Sequence, residues 1–556
     1  MMKKIRSRAF IVVAVIALVL STTYFAFGDY YRDLSHQLKI FNDLYKELVV
    51  NYVDQINPDA LMKAGIDGML DKLDPYTVYL EREQQHSLRT LTKGEYGGVG
   101  IQIGVRKDTL TVIAPMEGTP AARAGIQAGD QIIQIDTLNT GSLRLSKAAE
   151  IMRGKPGSQV TLTIKRPGVE ERIPFALTRE VIKIHDIALA EFIDDGVAYI
   201  KLNSFSKNSS TELKKAIENL GPKNIHGLIF DLRDNPGGLL TEALDIVDLF
   251  VPKGEKVLST KGRTEKSNQT FYTHDDPIIS TDVPMTVLVN GGSASASEIV
   301  TGVLQDLDRA VVVGHATFGK GLVQTVVPIS NDAAIKITTA KYYIPSGRLI
   351  QKQDYFDNDI VEDYAQEDTL FYTQNHRRVY GGGGITPDVT VKSDTMNRIA
   401  RDIWRKNYLF QYAVDYHNAH QEEKWPFQVT DSDYDSFISY VQTQGYEYHS
   451  STDKLFKQFL SKIDSTALTK PELQSAKQTF HDYLAQQDRW DEKAVKYWLT
   501  RGLNLEFASL YGGNKARVRE SLKYDHGFQA AENILKDQSD YYQQLGYAPT
   551  GPDNKE

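Results

Sequence analysis

The chain has 556 residues, enough for roughly two to four domains with sizeable cores. Its 41% hydrophobic and 24% charged residues are those of an ordinary globular protein, and a formal net charge of −8 argues against nucleic acid as a partner. It contains no cysteine, which excludes disulfides, thiolate nucleophiles and thiolate metal sites, and it needs no oxidising compartment.

At the N-terminus, Lys3, Lys4, Arg6 and Arg8 precede the apolar run AFIVVAVIALVL (9–20). A basic start followed by about 12 apolar residues is the pattern of an export signal. No clear Ala-x-Ala cleavage site follows, and without cysteine the lipoprotein route is closed. Residues 9–28 supply about 20 mostly apolar positions, enough to span a bilayer if the segment is retained. Residues 1–28 are therefore expected to direct export to the periplasm or cell envelope, as a cleaved signal peptide or as an inner-membrane anchor.

Leu34, Leu38, Phe41, Tyr45 and Leu48 then recur at alternating four- and three-residue spacing, as on one face of a helix. LMKAGIDGMLDKL (61–73) repeats the pattern and stops at Asp74-Pro75, so 29–92 is expected to be a small helical domain. From Glu95 the texture changes. EYGGVGIQIGVRKDTLTVIAP (95–115) alternates like strands around glycines. GTPAARAGIQAGDQIIQID (118–136) suggests a short helix, a turn and a strand; LSKAAEIMRGKPGSQ (145–159) suggests a helix ending at Gly154, and VTLTIKRPG (160–168) a closing strand. This order, with the Gly-Gly-Val-Gly loop and the AGIQAGDQI stretch (124–132), resembles a PDZ domain of the bacterial, circularly permuted kind, at 93–168.

Residues 169–390 alternate strands and helices, the mark of an α/β domain. VAYIKL (197–202), GLIFDL (227–232), MTVLV (285–289), AVVVG (310–314), LVQTVVPI (322–329) and AIKITTAKYYI (334–344) are the strands; SSTELKKAIENL (209–220) and LLTEALDIVDLF (239–250) are helices. The acidic, tyrosine-rich stretch 352–380 is expected to be an insertion. From 391 to 556 the chain is expected to be a helical C-terminal extension. His417 and His420 stand three apart in HNAH, a spacing that suits a ligand pair. No third ligand is near, so a solvated helix face is the preferred reading and no metal is expected.

Two stretches point to chemistry. IFDLRDNPGGLL (229–240) is a strand, a turn at Pro236-Gly237-Gly238 and a helix. Its glycines free the backbone to turn sharply and to aim N–H groups at a ligand, but taken alone the stretch is read first as a tight structural turn. NGGSASASEIV (290–300) has the same form, with serines at the start of a helix. There the unpaired N–H groups and the positive helix end favour a developing anion. A plain helix cap is the alternative for one of the three serines. A serine nucleophile needs a base. His315 and Lys320 both stand in GHATFGKGLVQ (314–324). A lysine serves only if burial brings its pKa well below about 10.4, and on the residues alone a solvated lysine is the preferred reading.

The combination is more specific than its parts. LDPYTVYL (73–80), a PDZ-like unit, DLRDNPGG, GSASASEI, TFGKGLVQ, YYIPSGRLIQ (342–351) and GITPDV (384–389) follow one another in that order. Over about residues 40–390 the chain resembles the carboxyl-terminal processing peptidases, or tail-specific proteases. The resemblance implies an α/β core of the ClpP/crotonase-like kind and a serine endopeptidase that needs no cofactor. It implies a Ser-Lys dyad, with Ser295 as nucleophile, Lys320 as base and Gln324 positioning the lysine. It implies an oxyanion hole from the Ala296 N–H and an N–H of Gly237 or Gly238. The absence of a P-loop points to ATP-independent action.

Substrates would be polypeptides with free, apolar C-termini. Such a tail would add as a strand to the PDZ edge, its carboxylate on the N–H groups of Gly97, Gly98, Val99 and Gly100 and its apolar residues against Val99 and Ile101. Arg153, at the end of the second PDZ helix, serves the helix dipole or docks the loaded PDZ domain. If Gln324 is to reach Lys320, part of KGLVQ is expected to curl, because four residues of strand span about 13 Å while a helical turn brings i and i+4 to about 5–6 Å. The helical regions would serve an adaptor or a homo-oligomer. Two other readings are a catalytically silent PDZ scaffold of the envelope and a Ser-His hydrolase using His315.

Overall fold

The computed structural model describes residues 32–106, 108–330, 333–352, 369–420, 422–424, 428–446, 448, 451–463, 469–487 and 493–547. The expected export segment and much of the expected insertion lie outside the described residues. Among the described residues, no helix is long and apolar enough to cross a membrane. The chain divides into two compact units.

The first unit holds the described residues up to Glu81 and those of 325–338. Residues 32–51 are helical, and a second helix runs Pro58–Leu70. Asn57 caps that helix by accepting from the Ala60 N–H at 3.1 Å, with Pro58 in the first position, where a missing N–H does no harm. Asp74 explains the LDPYT signal. Its carboxylate accepts from the Tyr76 and Thr77 N–H groups, from the Thr77 hydroxyl at 2.7 Å and from the Thr338 hydroxyl at 3.0 Å. The turn is thereby fixed, and strand Val78–Glu81 pairs antiparallel with residues 333–336.

The second unit begins at Arg82 and contains the PDZ domain, the α/β core and the C-terminal helices. The PDZ sheet orders its main strands Ile101–Arg106, Thr109–Pro115, Gln131–Ile135, Gln159–Lys165 and Arg172–Thr178. Its core is Val112, Ile132, Leu162 and Ile164, with helix Leu145–Met152 packed on it. The last strand pairs along its whole length with Gln159–Lys165, so the sheet runs past the expected boundary at 168. Strand Glu180–Lys183 then returns to pair with Glu95–Gly98, and the chain enters and leaves the domain side by side.

The core sheet has six strands in sequential order: β1 (Ile187–Asp194), β2 (Val197–Leu202), β3 (Gly227–Asp231), β4 (Met285–Val289), β5 (Val311–Gly314) and β6 (Val389–Thr390). From β2 onward neighbours are parallel. Helices α1 (Ser209–Leu220), α2 (Leu240–Asp248) and α3 (Ala296–Asp306) all pack on one face, against Ala198, Ile200, Phe230 and Val287.

Strand side chains alternate between faces, so Val197, Tyr199, Ile229, Leu288, Val311 and Val313 point the other way. Their cover comes from the end of the chain. Leu522, Phe528, Ala531, Ile534, Leu535 and Tyr541 close that face. The helix Lys493–Leu522 breaks at Gly513, whose φ of 71° suits glycine, and its two halves serve different cores. The first half joins helices Arg398–Arg405, Tyr408–Ala419 and Asp431–Thr443 in a separate apolar cluster, and the second turns onto the sheet. The expected C-terminal extension is thus partly a layer of the core itself, because a parallel sheet must be covered on both faces. Phe528→Ala removes a side chain only 8% exposed that meets Tyr199 edge-on at 5.8 Å. It should lower core stability by about 3–5 kcal/mol in thermal or denaturant unfolding; an appended arm would leave that transition unmoved.

Candidate active site

At the C-terminal end of β3 the DLRDNPGG turn is organised by two buried polar side chains. Asp231 accepts from the Tyr199 hydroxyl at 2.6 Å and from the Arg233 N–H, Nε and Nη2. Burial alone would raise its pKa, but the charges of Arg233 and Lys201 and these bonds outweigh it and hold the carboxyl well below its usual range. Arg233 also reaches Asp525, at the N-cap of helix His526–Lys536, so the turn is pinned to the C-terminal layer. Asn235 is fully buried. Its Oδ1 accepts from the Gly237 N–H at 2.9 Å, its Nδ2 donates to Leu202 O, and its own carbonyl accepts from the Ala294 N–H and the Ser297 hydroxyl.

The turn lies directly against the serine segment. A Cβ on Gly237, where φ is 93°, would sit 2.5 Å from Ala294 O and 2.9 Å from Ser295 Cβ. The Gly237 carbonyl accepts from the Phe205 N–H at 3.1 Å. In a trans peptide the next N–H points the opposite way, so the Gly238 N–H faces away from Phe205. Among the described residues neither the Gly238 nor the Ala296 N–H has a hydrogen-bond partner, whereas the Gly237 N–H is committed to Asn235.

The three serines have different fates. Ser293 and Ser297 are fully buried, their hydroxyls donating to Leu232 O and Asn235 O. Ser295 is partly exposed and stands at the N-cap of α3 with φ 56° and ψ −112°. A non-glycine residue at positive φ stores on the order of 1–3 kcal/mol of strain, which the surrounding bonds must hold. The middle serine thus holds the N-cap position, where its own N–H donates to Glu298.

A residue that the sequence reading did not single out joins this segment to the lysine. Glu298, in the first turn of α3, is fully buried. One of its carboxylate oxygens accepts from both the Ser295 N–H at 2.8 Å and the Lys320 N–H at 2.9 Å. The other accepts from the Thr317 hydroxyl at 2.6 Å and the Gly319 N–H at 2.7 Å. The SASE pattern at 295–298 is a capping-box signal and was the available clue. The Tyr342 hydroxyl adds a second tie, donating to Lys320 O at 2.5 Å and lying 3.4 Å from Ser295 O. Gly321 is held by Gln351, whose Oε1 accepts its N–H at 2.9 Å.

Lys320 and Gln324 are each half-buried, on the segment that follows β5. The expected curl within KGLVQ is absent. Lys320 and Gly321 are irregular, and a strand runs Leu322–Pro328. The change of direction falls earlier, at Gly319 with φ 91°. His315 turns elsewhere, its Nε2 lying 3.0 Å from the Ser393 hydroxyl. His420 stacks on Tyr416 and His417 meets Tyr511, and no metal-ligand cluster occurs among the described residues.

In the PDZ domain, Gly98, Val99, Gly100, Ile101 and Ile103 face Ala149, Met152 and Arg153 across a groove. Among the described residues the Val99 and Gly100 N–H groups have no partner, while their carbonyls accept from Ala121 and from Met116 and Thr119. Gly97 is not part of the groove: it lies in a strand, and a Cβ there would strike Gly154 O at 2.0 Å. The Arg153 guanidinium stacks over Tyr96 at 5.0 Å, on the groove wall.

The family comparisons agree with this architecture. The model for peptidase family S41 matches residues 196–364, a PDZ domain model matches 111–166, and the model described as "Probable PDZ-protease, C-terminal helical domain" matches 399–535. The model for the activating protease CtpB N-terminal domain matches 27–84. A carboxy-terminal-processing protease of Bartonella bacilliformis is 39% identical over 319 residues, 57% of this chain and 73% of its own. The chain belongs to the carboxyl-terminal-processing proteases. A relative from Synechocystis is 40% identical over 54% of this chain and 70% of its own. The solved photosystem II D1 C-terminal processing protease is 26% identical, covering 64% of this chain and 87% of its own, with a TM-score of 0.35.

This carboxyl-terminal-processing protease is thus a serine-type peptidase with a PDZ domain. Within it, Glu298 holds the Ser295 and Lys320 segments together. Burial pushes its carboxyl pKa up against the hydrogen bonds it accepts. As pH falls, the acceptor should be lost above the ordinary glutamate range of about 4.3, and activity with it. Glu298→Gln should lower kcat by on the order of tenfold to a hundredfold, since buried donors lose their acceptor. Steady-state kinetics across pH, with circular dichroism showing a folded variant, checks both statements.

Proposed function

We propose that this peptidase cleaves polypeptides through a Ser295–Lys320 dyad after its PDZ domain has captured an apolar C-terminal tail. The observation that carries the reading is the single Glu298 oxygen shared by the Ser295 and Lys320 N–H groups, which fixes both segments at one point. Neutral Lys320 takes the Ser295 proton, and Ser295 attacks the scissile carbonyl. The Gly238 and Ala296 N–H groups stabilise the oxyanion; the free state of the Gly238 donor favours it over Gly237. Lys320 then protonates the leaving amine, and water releases the acyl group from Ser295.

The tail carboxylate is received by the Val99 and Gly100 N–H groups, and its apolar side chains by Ile101, Ile103 and Met152. Arg153 supports that wall of the groove. The enzyme works without ATP. GHATFGKG (314–321) has the spacing of a phosphate loop except that Gly321 replaces the final Ser or Thr. Its Gly319 and Lys320 N–H groups are already taken by Glu298. The basic and apolar N-terminal segment supports export, with proteins of the cell envelope as substrates.

An unstructured reporter with an apolar C-terminal tail should be cut by wild type and not by Ser295→Ala or Lys320→Ala. Amidating the reporter's C-terminus should raise KM severalfold or more. Equal cutting by wild type and Ser295→Ala refutes the dyad; equal KM for acid and amide refutes carboxylate capture.

A further inference from the structure

The chain leaves the PDZ domain at Ile184–Asp186 and enters it at Thr92–Gly94, and both crossings are anchored to one short loop. The Ile184 N–H donates to Gly94 O at 2.8 Å, joining the two crossings. Asp186 is 1% exposed, and its carboxylate accepts from the hydroxyls of Ser204 and Ser206, one on each oxygen. Its carbonyl accepts from the Asn203 N–H at 2.8 Å, and the Lys207 N–H donates to Thr92 O at 2.8 Å. There is no slack at this junction: a Cβ on Gly94 would lie 2.5 Å from the Ser206 hydroxyl oxygen.

Phe205 sits between the two serines and belongs to the active-site turn. Its N–H donates to Gly237 O at 3.1 Å, its carbonyl accepts from the Leu239 N–H at 2.8 Å, and a Cβ on Gly238 would lie 2.2 Å from that carbonyl. The same peptide unit that accepts from Phe205 carries the Gly238 N–H on its other side. A shift of Phe205 therefore re-aims that N–H. Just past the loop, Glu242 of α2 holds the start of α1, accepting from the Ser210 N–H at 3.0 Å and the Ser210 hydroxyl at 2.8 Å.

We propose that Asp186 is a positioning residue that ties the PDZ exit, through Ser204, Phe205 and Ser206, to the Gly237-Gly238 turn. Movement of the PDZ domain on binding a tail is then felt at the Gly238 N–H through this loop. The inference rests on the reading of Gly238 as an oxyanion donor. Nothing in the chain positions of Asp186 and Gly238 announces the link, which the fold makes through only three residues.

The test compares Asp186→Ala with Asp186→Asn, which keeps the size and one acceptor, and with Ser204→Ala/Ser206→Ala should Asp186→Ala fail to fold. In the uncoupled variant, kcat on a tailed reporter should fall about tenfold, while KM and tail-peptide affinity by fluorescence anisotropy stay unchanged. Asp186→Asn should recover most of kcat. Hydrogen exchange supplies a readout that needs no activity: the Leu239 amide should exchange at least severalfold faster in the uncoupled variant, together with 184–187. Faster exchange confined to 184–187, or an unchanged kcat in a folded uncoupled variant, overturns the inference. If wild type shows no Ser295-dependent cleavage, the proposed function fails, and the Leu239 exchange rate still decides the coupling.

Discussion

Four donors converge on the Glu298 carboxylate, from two chain segments that end different strands of one sheet. A buried carboxylate is stable only if its lone pairs are filled, so Ser295 and Lys320 cannot separate without stranding it. The same anchoring sustains the positive φ of Ser295, which an isolated serine would relax. Tyr342 repeats the tie from the carbonyl side. The site is thus a junction of backbone segments first and a set of side chains second.

The junction depends on the sheet, and the sheet depends on the end of the chain. With α1, α2 and α3 all on one face, the other face would lie open to water without Phe528, Ile534, Leu535 and Tyr541. The Tyr541 hydroxyl accepts from the Met285 N–H at 3.1 Å, at the start of β4, and Arg233 reaches Asp525 beside the Pro-Gly-Gly turn. The C-terminal helices therefore support the very strands and turn that present the site. On the PDZ side, the Asn203–Lys207 loop does the same for the Gly237-Gly238 turn.

Much of this was legible in the sequence. The strands β2–β5 are buried on both faces and stand out as short apolar runs, and the glycine turns after β3 and β4 mark where the chain changes direction. The middle serine, the lysine segment and the PDZ loop followed from motif order. What escaped was long-range. Glu298 is visible as a cap of its own helix, but its other partners lie about twenty residues downstream. The covering of the sheet is set by contacts such as Phe528 with Tyr199, far apart in the chain, which no local pattern encodes. RIPFALT (172–178) does alternate and could have extended the PDZ boundary. The curl expected in KGLVQ placed the bend between Lys320 and Gln324, whereas the glycine before the lysine supplies it.

The most direct test of Ser295 as the nucleophile is covalent trapping by a peptidyl diphenyl phosphonate with an apolar side chain at the reacting end, followed by intact-mass analysis and peptide mapping. The account predicts one adduct per chain, mapped to Ser295, formed much more slowly in Lys320→Ala and not at all in Ser295→Ala. An adduct on another residue, or equal labelling of Ser295→Ala, would contradict it.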